Sequence, residues 1–92
     1  MSLKLQKNKE CWFCRTTENL HHHEICFGSA NRKKSIEYGL QVWLCGRHHN
    51  LSSHSVHHDR EMDLRLKRFG QEEFEKVYGH DKWMEVFHKN YL

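Results

Sequence analysis

A small α+β domain is the fold this sequence predicts, on three observations. Two residues separate Cys11 from Cys14, and two separate Cys45 from His48, so two short turns carry paired ligands. Two short apolar segments, residues 20–27 and 40–45, read as strands. From Asp59 onward the apolar residues recur at helical spacing. The chain has 92 residues, the size of one domain. A single domain over residues 1–92 is expected, with a basic lead-in at 1–10, a Cys/His core at 11–58 and a helical part at 59–92.

Each element follows in order. The lead-in carries Lys4, Lys7 and Lys9. Cys11-Trp12-Phe13-Cys14 closes a tight turn. Residues 20–27 form the first strand, bounded by Gly28. Residues 28–35 hold turn formers and the basic run Arg32, Lys33 and Lys34, and read as a loop. In 40–45, Leu40, Val42 and Leu44 share one face of the second strand. Gly46 suits a tight second turn, and polarity then rises into a turn or helical loop. Asp59 is a candidate N-cap. Met62, Leu66, Phe69 and Val77 lie near one stripe, widened by Phe74 and interrupted by Gly70. Gly79 is the expected stop. Asp81 is the expected cap of a final helix whose apolar stripe is Trp83, Val86, Phe87 and Tyr91. These stripes read as core packing rather than as a ligand groove.

Composition bounds the chemistry. Hydrophobic residues are 37% and charged residues 29%, and so short a chain has little stability to spare. Three Trp, five Phe and three Tyr still supply apolar surface for a core. A structural metal is a natural further support, since its binding is coupled to folding and contributes on the order of 10 kcal/mol. No stretch is long enough to span a membrane and no signal peptide is visible. A cytoplasmic protein is expected, and in a reducing compartment four Cys favour a metal site over two disulfides. A net charge of +3 does not by itself imply a nucleic-acid partner. The clustered lysines and arginine fit either a solvated surface or a phosphate-binding patch.

Zinc takes four tetrahedral ligands from Cys and His. Cys11, Cys14, Cys45 and one of the pair His48-His49 offer them, and His48 keeps the two-residue gap. A redox role for Cys11 and Cys14 lacks the βαβ surroundings it needs. Cys26 is left over and reads as a small buried hydrophobe. The ten histidines exceed what a small core needs. They group at His21-His22-His23, at His48-His49, and at His54, His57 and His58. A metal-binding surface tract is one reading. The other is a catalytic site, in which a neutral His activates water and others hold a divalent ion.

In order, Cys11 and Cys14, His22-His23, a basic loop, and an apolar strand ending in Leu44-Cys45 and His48-His49 resemble the HNH endonucleases. The loop residues 31–35, Val56-His57 and Asn90-Tyr91-Leu92 are similar to short phage- and prophage-encoded HNH-like proteins. The resemblance implies a zinc-stabilised ββα-metal, treble-clef-like hairpin-helix core followed by helices. It implies phosphodiester hydrolysis in DNA, in a bacterial host cell. His23 would be the general base. His22, His49 and His57 would hold the catalytic Mg2+, Mn2+, Ni2+ or Zn2+, with His54 as a competitor of His57. Cys11, Cys14, Cys45 and His48 would hold structural Zn2+. Arg32, Lys33 and Lys34 would grip the nucleic-acid backbone. The family's middle Asn is replaced here by Tyr38-Gly39, with Asn31 and Asn50 as candidate substitutes. A shifted alignment makes His23 the metal ligand beside Glu24. A non-catalytic zinc module contacting nucleic acid or a protein is the alternative function.

Overall fold

The computed structural model describes residues 3–26, 29–49 and 57–92. Phe27, Gly28, Asn50, His54 and Val56 lie outside the described residues, as do the expectations that rest on them. Strand β1 (Leu20–Glu24) pairs antiparallel with β2 (Gln41–Cys45), with Leu20 opposite Cys45 and Glu24 opposite Gln41. The strands are shorter than predicted. Ile25 continues the register opposite Leu40 by one bond, and Cys26 leaves it because its backbone is engaged by Ser35. Ile25 N donates to Leu40 O at 3.0 Å. Cys26 N donates to the Ser35 hydroxyl at 3.1 Å, and that hydroxyl donates back to Cys26 O at 2.7 Å.

The expected basic loop is instead helix α1 (Ser29–Tyr38). Its few apolar residues, Ala30, Ile36 and Tyr38, do not align on one face, so no apolar stripe betrays it. Ala30, Arg32, Lys33, Lys34 and Glu37 are good helix formers, and tertiary bonds hold the helix in place. Ser35 is fully buried against Cys26. Lys34 Nζ donates to Val86 O at 2.7 Å. Gly39 ends the helix at φ 76°, a left-handed conformation that glycine adopts without a Cβ penalty. The backbone of Leu3 lies directly on it, and Leu3 N donates to Tyr38 O at 2.7 Å.

After β2 comes the single turn α2 (Gly46–His49), then α3 (Arg60–Tyr78) and α4 (His80–Phe87). Gly46 is helical and buried, so its place in the second turn does not depend on a left-handed backbone. Asp59 caps α3 as predicted, its carboxylate accepting from Glu61 N at 3.0 Å and Met62 N at 3.4 Å. Gly70 does not interrupt α3; it faces inward, where a Cβ would sit 3.2 Å from Ile25 Cδ1. The buried face is Leu66, Lys67, Gly70, Gln71 and Phe74. Val77 is 60% exposed rather than part of it. Two polar residues on the inner face hid its true phase. Both have partners that make burial tolerable. Lys67 pairs with Asp63. Gln71 donates to Glu75 and Asn90 and accepts from Tyr91 N, each at 2.7 Å.

Gly79 ends α3 and also stands before α4. Asp81 is not the cap of α4; it lies in its first turn, where a carboxylate favours the helix dipole. Trp83, Val86 and Phe87 face inward as predicted, while Tyr91 follows the helix. Ile25, Leu40, Val42 and Leu44 join Leu66, Phe74, Trp83 and Phe87 in one core. No helix among the described residues is long and apolar enough to cross a membrane.

Candidate metal centres

The first turn is fixed from both sides. Cys11 N donates to Thr16 O at 2.9 Å, and Arg15 N donates to Cys11 O at 2.8 Å. Trp12 N donates to Trp43 O at 2.9 Å, which ties the turn to the outer edge of β2. Cys45 ends β2, and His48 stands one helical turn later on α2. The result brings Cys11, Cys14, Cys45 and His48 together, with all four ligand atoms within 4.8 Å of one another. Cys14 Sγ lies 3.8 Å from Cys45 Sγ. His48 Nδ1 lies 3.2 Å from Cys45 Sγ and 3.5 Å from Cys11 Sγ. Tetrahedral zinc would set about 3.8 Å between sulfurs and about 3.6 Å between sulfur and imidazole nitrogen. The four residues therefore fit a metal ion such as zinc.

All four cysteines are free thiols. At Cys45, burial pushes the thiol up, and the neighbouring sulfurs add to this. At Cys11 burial also acts upward, but hydrogen bonds from the backbones of Cys45, Cys14 and Phe13 outweigh it and the net direction is down. Those backbone donors favour a thiolate, the form that binds metal. Cys26 is buried outside the cluster, its thiol pushed up to about 12 by burial.

The second cluster is His23, His49 and His57, whose ring nitrogens also lie within 4.8 Å of one another. His23 is the inward residue of β1, 2% exposed and paired across the sheet with Val42. His49 follows the candidate ligand His48 on α2. His49 Nε2 is 3.1 Å from His57 Nε2. The other nitrogen of the His49 ring, Nδ1, is 2.9 Å from His21 Nδ1. Each ring of the cluster is held toward its neutral form. Burial lowers His23 to about 3, aided by His49 and His57 and then by Lys67 and Arg32. Burial lowers His49 to about 4, aided by His57 and His21. His57 is lowered by burial, with Asp63 acting in the opposite direction. Neutral imidazoles have a lone pair to offer a proton or a cation.

His22 does not join this group, which corrects the expectation that it shares an ion with His49. Alternation along β1 turns it to the opposite face. There it is exposed and stacks on Trp43, ring centroids 4.5 Å apart and planes 18° apart. Of the expected phosphate-binding residues, Arg32 and Lys33 are exposed on α1, while Lys34 is bound to the end of α4. Arg32 is near enough for its charge to act on His23 and His57. Asn31 lies on α1. His21 is the residue the sequence reading missed. The period of two places it on the same side of β1 as His23, and that signal was legible once the strand's inward face was known. No family model matches this chain, and neither a curated protein nor a solved structure is found similar to it.

Proposed function

We propose that this protein is a metal-dependent endonuclease of the HNH type that hydrolyses phosphodiester bonds in DNA. In this reading Cys11, Cys14, Cys45 and His48 hold structural zinc within a ββα-metal, treble-clef-like core, and the protein works in the cytoplasm of a bacterial cell. The observation that carries it is the convergence of His23, His49 and His57 beside a four-ligand Cys/His cluster. His48 and His49 are consecutive, so one short helix serves both groups. A structural metal on His48 would hold His49 in place.

The separation of 3.1 Å between His49 Nε2 and His57 Nε2 is close to the about 3.0 Å expected for adjacent ligands near 2.1 Å from one octahedral ion. A divalent ion held there supplies positive charge that stabilises the charge developing on the phosphate and the leaving oxygen. His21 holds the far side of the His49 ring and orients it, as partners of ligating histidines do. His23 takes the proton of the attacking water. At about 3 it is a weak base in the absence of substrate; an anionic phosphate beside it acts upward and a cation on His49 and His57 acts downward, so its role as base requires the phosphate charge to prevail. Arg32 and Lys33, exposed on α1, meet the nucleic-acid backbone without reading sequence.

The burial of His23 favours a second assignment within the same function, as a third ligand of the catalytic ion. One experiment separates the possibilities. Zinc-loaded protein and its His23→Ala variant are incubated with plasmid and single-stranded DNA in Mg2+, Mn2+ or Ni2+, and the bound metals are counted. Cleavage lost with the second metal retained assigns His23 as base. Loss of both assigns it as ligand. Binding without cleavage in every metal, or a variant that cuts like the parent, sinks the catalytic reading and leaves a nucleic-acid-binding module.

A further inference from the structure

The outer face of the sheet carries a feature that the metal clusters do not use. His22 and Trp43 are cross-strand partners whose rings stack. Lys9 Nζ lies over the same indole, 4.5 Å from its centroid. The lead-in segment is held against this edge, since Trp43 N donates to Gln6 Oε1 at 2.6 Å. Between segment and sheet opens a cleft of about 460 Å³, within the range of small-ligand sites. Lys4, Lys7, Lys9, His22 and Trp43 line it, and no carboxylate side chain is among its described lining residues. Ile36, half exposed, adds an apolar wall.

Stray surface lysines would be expected to mingle with acids, and a cross-strand aromatic pair can serve the sheet alone. Here the cations and the aromatic platform share one cleft. We infer that this cleft binds single-stranded nucleic acid, one base stacking on the Trp43–His22 platform and the flanking phosphates meeting Lys4, Lys7 and Lys9. Stacking needs an exposed base face, which a duplex keeps inside its own stack. Lys9 covers the indole through an exposed cation–π contact, weaker than a base–aromatic stack. An incoming base displaces it, and its ammonium turns to a phosphate. An acidic peptide without aromatic side chains would meet the same charge but has no aromatic plane to match the platform. The inference does not depend on catalysis; if cleavage also holds, the two surfaces contact different parts of the substrate.

The test measures binding of labelled oligo(dT), oligo(rU) and a short duplex to the full zinc-loaded chain, by fluorescence anisotropy at several salt concentrations without added divalent ions. Trp43→Leu is expected to weaken single-strand binding about 5- to 150-fold, the range for losing one base stack. The double variant Lys7→Gln, Lys9→Gln touches only exposed side chains and should preserve the fold. It is expected to flatten the log–log salt slope by about 1.4, from two single-strand phosphate contacts. Comparison of oligo(dT) with oligo(rU) assigns the sugar. Single-strand binding unchanged in both variants overturns the inference. So does equal weakening of duplex and single strand, or displacement of oligo(dT) by poly-glutamate at matched charge. Because binding is read without cleavage, a failure here is distinct from a failure of the nuclease reading.

Discussion

Replacing Gly39 with Ala tests how the lead-in segment is seated on the fold. Gly39 has φ 76°, so any L residue there carries backbone strain of about 1–2 kcal/mol. A Cβ would also stand 2.1 Å from Leu3 O and 2.8 Å from Leu3 N. Those atoms are backbone and cannot turn aside, so the segment must lift. Lifting breaks the Leu3 N to Tyr38 O bond, about 1 kcal/mol net. It also uncovers Leu3, which is packed against the core at partial burial, about 1 kcal/mol more. The expected loss is therefore about 3–4 kcal/mol, read by urea denaturation of metal-loaded protein. In a chain beginning at Glu10 the same substitution should cost only the strain, about 1–2 kcal/mol. Equal losses in the long and short chains, or a loss below about 1 kcal/mol in the long one, would refute this reasoning. The lifted segment also forms one wall of the lysine cleft, so Gly39→Ala should weaken oligo(dT) binding as well.

Other outcomes are expected. Cys11→Ser should leave less than one tightly bound zinc per chain. Structural zinc contributes on the order of 10 kcal/mol, against roughly 5–14 kcal/mol of stability for a domain of this length, so the variant should lose its cooperative thermal transition. Cobalt in the parent should give the visible spectrum of a tetrahedral thiolate site. His21→Ala removes the group 2.9 Å from His49 Nδ1. It should lower cleavage about 10- to 100-fold while the zinc content of the Cys/His site stays at one. The carboxyl of Glu75 is held below the usual carboxylate range by hydrogen bonds from Gln71 and His80. Its folded value is depressed, so its contribution is present above its unfolded value and is lost as pH falls through the folded one. Below that point the Gln71–Glu75 bond loses its charge assistance, and the protection of the Tyr91 amide, whose N–H Gln71 accepts, should fall relative to its intrinsic exchange rate. Protection that does not change across this window would show that Asn90 alone holds Gln71.

Legibility depended on whether a residue's role was local. The cap at Asp59 and the stop at Gly79 are properties of a few neighbouring residues, and both stand where the pattern puts them. Helix α1 was illegible because its stabilisation lies outside it, in the Ser35 hydroxyl bonded to Cys26 and in Lys34 reaching α4. The phase of α3 was misread at Val77 because Lys67 and Gln71, polar by type, are buried by virtue of partners that sequence does not display. His22 and His21 are identical side chains one position apart, and only the direction of the β1 pleat separates a stacked surface ring from a partner of His49.

By itself, the sequence determined that two turns offer paired metal ligands and that the second half is helical. Ligand spacing, capping and apolar period are carried by residues close along the chain. Only the tertiary structure decided which histidines meet. His23, His49 and His57 come from a strand, a one-turn helix and the segment before α3. Their convergence is a property of how those elements pack, and no spacing along the chain encodes it.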